Sequence, residues 1–146
     1  MGAMPTQTLI RPAARPRLLC VDDEPQILEG LKLLLGRRYD IEVAMDGAEG
    51  LQALEVESFP VVICDLRMPG IDGAEFLEHI AKRWPTVVPI ILSGATSFED
   101  KGPRLGAELA FRSLLKPVEP QVLRETVAAA LAHHETLVRD SCSPLA

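Results

Sequence analysis

Two adjacent carboxylates, Asp22 and Asp23, follow directly on the apolar run RLLCV (17–21). The run VVIC (61–64) ends in Asp65, VVPIIL (87–92) in Ser93-Gly94, and FRSLL (111–115) in Lys116-Pro117. One Asp after a strand commonly caps a helix or forms a turn, and Asp22-Asp23 alone could do that for a helix beginning near Pro25. The joint pattern is harder to explain in that way. Apolar strands do not need three carboxylates, a hydroxyl and an ammonium on one common rim in order to fold.

Carboxylates gathered within a few ångströms repel one another and stay ionised cheaply only beside a counter-charge. An all-oxygen set of this kind suits Mg2+, a hard ion that keeps several waters and leaves positions for phosphate oxygens. Asp65 is then a candidate nucleophile toward phosphorus, because carboxylates form aspartyl phosphates. Lys116 would offset charge on the phosphoryl oxygens, and the Ser93 hydroxyl would hydrogen-bond one of them. Gly94 leaves room for that group to approach the backbone.

The elements that must position these residues follow from periodicity. Continuous apolar runs at 17–21, 61–64 and 87–92 fit strands covered on both faces. IEVAM (41–45) sets Ile41, Val43 and Met45 opposite Glu42, as on an edge strand, and FRSLL reads as the opposite edge. Between the strands, Ile27, Leu28, Leu31, Leu34 and Leu35 form a helical stripe. In 46–58, Asp46 is the expected N-cap, with Glu49 completing a capping box. Phe76, Leu77, Ile80, Ala81 and Trp84 form another stripe, and Val122, Leu123, Val127, Ala130, Leu131, Leu137 and Val138 a last one; all are read as core. A helix near 97–107 is weakened by Gly102 and Pro103. Five strands alternating with five helices predict an α/β domain with a parallel sheet. Its ligand crevice lies outside the carboxyl ends of the strands.

The chain has 146 residues, enough for one domain with a real core. Residues 1–16, with three prolines, read as a flexible leader whose MGAM start resembles an expression remnant. The domain is expected over 17–138, with a flexible tail at 139–146. A formal charge of −6 argues against a basic nucleic-acid-binding face. No run is long enough to span a bilayer, and no signal-peptide core is present. Three cysteines without metal-type spacing, two of them in strand-like runs, indicate core packing and a reducing cytosol. His133 and His134 are adjacent on a helix and cannot chelate as an i,i+4 pair would; His79 reads as a solvated surface residue. No phosphate-binding glycine loop occurs.

The segments VDDEP (21–25), DLRMPGIDG (65–73), LSG (92–94) and KP (116–117) resemble, in order, the receiver domain of bacterial two-component response regulators. The resemblance implies a flavodoxin-like (βα)5 three-layer sandwich with a five-stranded parallel sheet in the order 2-1-3-4-5. It implies that Asp65 accepts a phosphoryl group from a sensor histidine kinase or phosphotransfer protein. Asp23 and Asp65, with Asp22 more through water and the backbone carbonyl of Arg67, are the implied Mg2+ ligands. Lys116 resembles the lysine that contacts the phosphoryl group, with a cis bond to Pro117, and Ser93 the hydroxyl that swings toward it. Met68-Pro69-Gly70 and Asp72-Gly73 shape the loop after Asp65.

Such a domain catalyses its own phosphorylation and dephosphorylation and has no stand-alone enzyme activity. It controls an output domain in the same chain or a separate effector, in the cytoplasm, without direct contact to nucleic acid or membrane. No output domain fits in 146 residues, so a stand-alone receiver or a piece of a longer regulator is expected. The sequence departs from the family where Ser113 stands in place of an aromatic; Phe111, two residues earlier on the same expected face, is the candidate substitute. Pro103 disfavours the usual dimer face, so a monomer or weak homodimer is expected. The alternative is a pseudo-receiver, an interaction module that is not phosphorylated. An Asp-nucleophile hydrolase would need D-x-D after the first strand, which VDDEP lacks.

Overall fold

Leu18, Leu19, Cys20 and Val21 point alternately to opposite sides, yet all four are buried, so β1 (Arg17–Val21) is covered on both faces. The computed structural model describes residues 15–94 and 109–141. β3 (Val61–Cys64) and β4 (Val88–Ser93) are likewise buried throughout. β2 (Asp40–Ala44) and β5 (Arg112–Leu115) are largely exposed, as edges should be. The sheet order is β2-β1-β3-β4-β5, with every neighbour parallel. This is the 2-1-3-4-5 order expected.

Four helices are described: α1 (Pro25–Leu35), α2 (Gly47–Val56), α3 (Gly73–Arg83) and α4 (Pro120–Ser141). Leu28, Leu31 and Leu35 of α1 and Leu123, Val127 and Ala130 of α4 pack on Leu18, Cys20, Val61, Ile63 and Ile90. On the other face Leu54 of α2 and Phe76, Leu77 and Ile80 of α3 pack on Leu19, Val21, Val62, Cys64 and Ile91. Each large apolar side chain fully buried this way contributes about 1.5–3 kcal/mol. The result is helix, sheet, helix. The helix expected near 97–107, with Gly102 and Pro103, lies outside the described residues, and so does the argument about dimerisation built on Pro103.

Local chemistry explains the helix starts. Asp46 Oδ1 accepts from the Glu49 N–H at 2.9 Å, which makes it the expected N-cap of α2. The reciprocal bond differs: Glu49 Oε1 accepts from the N–H of Met45 at 2.8 Å, one residue earlier than a capping box would have it. Asp72 caps α3 through the Glu75 N–H at 3.0 Å. Pro25 occupies the first turn of α1, behind the N-cap Glu24.

Several apolar stripes are narrower than their periodicity suggests. Ala81, Val122 and Val138 are exposed, as are Val43 and Met45, while Ala44 is buried. An edge strand has a neighbour on one side only, so the face of Val43 lacks cover that central strands have. Hydrogen-bonded structure is described on both sides of residues 17–138 as well. Arg15 donates to the carbonyls of Gly36 and Arg37 and pairs with Asp40 at 3.1 Å, and α4 runs through Ser141. Among the described residues no helix is long and apolar enough to cross a membrane.

Candidate functional site

The parallel register sets Val21 level with both Ala44 and Cys64, and Ser93 level with Leu115. The residues that follow those strands therefore emerge on one rim, and the sheet's hydrogen bonds continue into them. Asp22 N–H donates to the Ala44 carbonyl at 3.1 Å, Asp65 N–H to Val21 at 3.1 Å, and Lys116 N–H to Ser93 at 2.8 Å. Each chemical group thus sits on a backbone fixed by its neighbour strand.

The side chains converge. Ser93 Oγ, fully buried, donates to Asp65 Oδ1 at 2.6 Å. Lys116 Nζ reaches Asp22 Oδ2 at 3.0 Å, Asp65 Oδ2 at 3.4 Å and Glu24 Oε1 at 3.4 Å. Carboxylate oxygens of Asp22, Asp23 and Asp65 all lie within 4.8 Å of one another, with Asp22 and Asp65 buried and Asp23 exposed. Arg67 enters through its backbone, whose N–H points at Asp65 Oδ1 at 3.4 Å. All six residues picked out by sequence are on this rim. The Lys116–Pro117 peptide is cis, as the resemblance implies.

Electrostatics follow from three acids sharing one ammonium. Burial raises the Asp22 carboxyl above its ordinary range, and the nearby Asp65 charge adds to it; the Glu24 N–H and Lys116 oppose without cancelling. Burial works to lower Lys116, but its bond to Asp22 and the charges of Asp65, Asp22 and Glu24 outweigh it, so Lys116 is raised and remains an ammonium. Lys116 faces three carboxylates, and with Asp23 beside them one ammonium leaves the cluster net negative. That residual demand for positive charge, met by hard oxygens only, fits a divalent cation such as Mg2+. The two thiols among the described residues are held protonated: burial, with Asp22 adding, pushes Cys20 up to about 12, and burial also raises Cys64.

In the sequence Glu24 has no assigned role, and Gly73 is named only as shaping the loop after Asp65. Glu24 brings a further carboxylate to Lys116, and a Glu after Asp-Asp at a helix start was the available signal. Gly73 permits the close approach of α3: an added Cβ would lie 2.6 Å from both the Asp65 carbonyl oxygen and the Leu66 Cα. Its N–H donates to the Leu66 carbonyl at 2.9 Å. Gly94, by contrast, has no atom of the described residues within 4 Å of an added Cβ.

Phe111 does not share the Ser113 face. It precedes β5, packs with the α1/α4 cluster and stacks on His133 of α4, with ring centroids 5.1 Å apart. Strand alternation does not extend to a residue outside the strand. His134 contacts the Thr86 carbonyl through Nδ1 at 2.7 Å, which occupies it structurally. An apolar cleft of about 310 Å³, lined by Leu77, Val87, Phe111 and Leu137 among others, lies at the opposite ends of the strands from the acidic rim.

Residues 18–128 match the profile of the response regulator receiver domain family. The chain is a response regulator receiver domain. As a receiver it is 33% identical over 114 residues to the hydrogenase transcriptional regulatory protein HoxA of Cupriavidus necator, a match covering 78% of this chain and 24% of HoxA. The receiver thus spans about a quarter of that relative's length. Among solved structures, it is similar to a response regulator receiver domain protein of Clostridium thermocellum (33% identity, TM-score 0.75, 84% of this chain and 98% of that one). It is also similar to the response regulator TrrA of Thermotoga maritima in complex with Mg2+-BeF (32% identity, TM-score 0.71, 80% and 99%).

Proposed function

We propose that this receiver takes a phosphoryl group from a phosphohistidine of a sensor kinase or phosphotransfer protein onto Asp65. The observation that carries the reading is the bracketing of one buried carboxylate by the Ser93 hydroxyl at 2.6 Å and the Lys116 ammonium at 3.4 Å. An Asp65 oxygen attacks phosphorus as the partner's N–P bond breaks, and the electron pair leaves with the imidazole nitrogen. Lys116 takes up charge on the phosphoryl oxygens, and the Ser93 O–H turns from Asp65 to donate to one of them.

Asp22, Asp23 and Asp65, with the Arg67 carbonyl, would hold Mg2+. Bound there, the ion supplies charge neutralisation for the transferring group. Asp22 accepts from the Glu24 N–H and from Lys116, and Asp65 is likewise bonded through both oxygens, so the exposed Asp23 is the most accessible carboxylate for the ion, with Asp22 acting more through water. Transfer then shifts the balance between two conformations of the domain and so controls an output domain or a separate effector in the cytoplasm.

Incubating the purified chain with acetyl phosphate and Mg2+ tests the reading by intact mass. One added phosphoryl group is expected, absent when EDTA replaces Mg2+. The same ion should raise the thermal midpoint, since a ligand at 100 times its Kd stabilises by about 2.7 kcal/mol. Absence of any mass gain, with Mg2+ bound, would instead indicate an interaction module that is not phosphorylated.

A further inference from the structure

The Lys116 ammonium has three N–H donors and three carboxylate acceptors, so its capacity is fully used. The three acceptors are not equivalent. The side chains of Asp22 and Asp65 are 3% and 9% exposed, whereas that of Glu24 is 52% exposed. Glu24 is also the N-cap of α1, yet its side chain makes no capping bond. Its backbone is fixed by donating to Asp22 Oδ1 at 2.9 Å and by accepting from Ile27 N–H at 3.0 Å. The carboxylate is thereby held over the lysine without serving the helix.

We propose that Glu24 is a positioning residue that holds Lys116 before transfer and competes with the incoming phosphoryl oxygen for it. The inference rests on the phosphoryl-transfer reading given above. Of the three bonds to Nζ, that to Glu24 is the one that opens into water, since Asp22 and Asp65 are both buried and each would be left charged without its partner. A phosphoryl oxygen therefore takes the place of Glu24 Oε1. The displaced carboxylate also faces the arriving group with like charge. Both effects slow uptake, so Glu24 sets how readily the domain is phosphorylated.

The rate of phosphoryl uptake from acetyl phosphate with Mg2+, followed by intact mass, tests this in wild type, Glu24→Gln and Glu29→Gln. Glu29, an exposed α1 residue 3.7 Å from Lys32, controls for the loss of one negative charge. Glu24→Gln is expected to accelerate uptake roughly 3- to 10-fold at low salt, a gain that shrinks near 1 M salt, where the screening length is about 3 Å. Glu29→Gln should match wild type. The NMR signals of the Lys116 side chain should shift in unphosphorylated Glu24→Gln and stay in place in Glu29→Gln, a signature that a purely helical role for Glu24 does not produce. An unchanged or slower rate in Glu24→Gln, or an unmoved Lys116 signal, overturns the proposal while leaving Asp65 as acceptor. A wild type that takes up no phosphoryl group overturns the underlying reading instead.

Discussion

Asp65→Asn is expected to reduce phosphoryl uptake to the detection limit while leaving the fold intact. The amide keeps an oxygen where Ser93 Oγ now donates at 2.6 Å, so the buried hydroxyl retains an acceptor. What disappears is the anionic oxygen able to attack phosphorus. The substitution also removes a charge that raises the Asp22 carboxyl, and crowding among the acids falls. The thermal midpoint should therefore hold or rise in the metal-free protein. The stabilisation gained from Mg2+ should shrink, because one of three clustered carboxylates is gone. Intact mass after acetyl phosphate and thermal melts with and without Mg2+ read both effects. Full phosphorylation of Asp65→Asn at another residue would remove Asp65 from the mechanism.

Gly73→Ala is expected to damage both stability and transfer. The new methyl would lie 2.6 Å from the Asp65 carbonyl oxygen, 2.6 Å from Leu66 Cα and 2.9 Å from the Leu66 carbonyl oxygen. Those are backbone atoms of the chain leaving β3, with no rotamer to change. Overpacking of this sort costs roughly 1–3 kcal/mol, sometimes more, and should appear as a loss of several degrees in thermal midpoint. The relief available is to push α3 or the Asp65 backbone aside. A displacement near 1 Å at a reacting group can cost about 100-fold in rate, so uptake per folded molecule should fall steeply. Gly30→Ala is the contrast: nothing lies within 4 Å of its added Cβ, and Gly30 sits within the exposed side of α1. There the change should stabilise by about 0.5–1 kcal/mol. Equal behaviour of the two variants would show that the close approach at Gly73 has no consequence.

Much of this architecture was legible because the strands are short and apolar throughout. In RLLCV, VVIC and VVPIIL there is little else a chain can do but bury both faces, and the polar residue after each run marks where the strand leaves the sheet. The strand order was a different matter. No periodicity distinguishes 2-1-3-4-5 from other orders, and that knowledge came from the family resemblance. Side-chain detail was less accessible still. Val43 and Met45 alternate as core residues would, but an edge strand leaves their face uncovered. Phe111 has the parity of Ser113, but lies just before β5 and joins the opposite cluster. The sharing of Lys116 by Glu24 depends on where the turn after β1 meets the end of β5, residues 92 positions apart. The need for Gly73 likewise arises only when α3 crosses the backbone after β3.

The two buried cysteines have a practical consequence. Cys20 belongs to the layer under α1 and α4, and Cys64 to the layer under α2 and α3. Burial keeps both thiols protonated and out of reach, so an alkylating reagent can modify each only when its own layer parts from the sheet. The molecule therefore carries a pair of internal opening gauges, one for each side. Differential labelling could tell which side loosens first when the acidic rim changes charge.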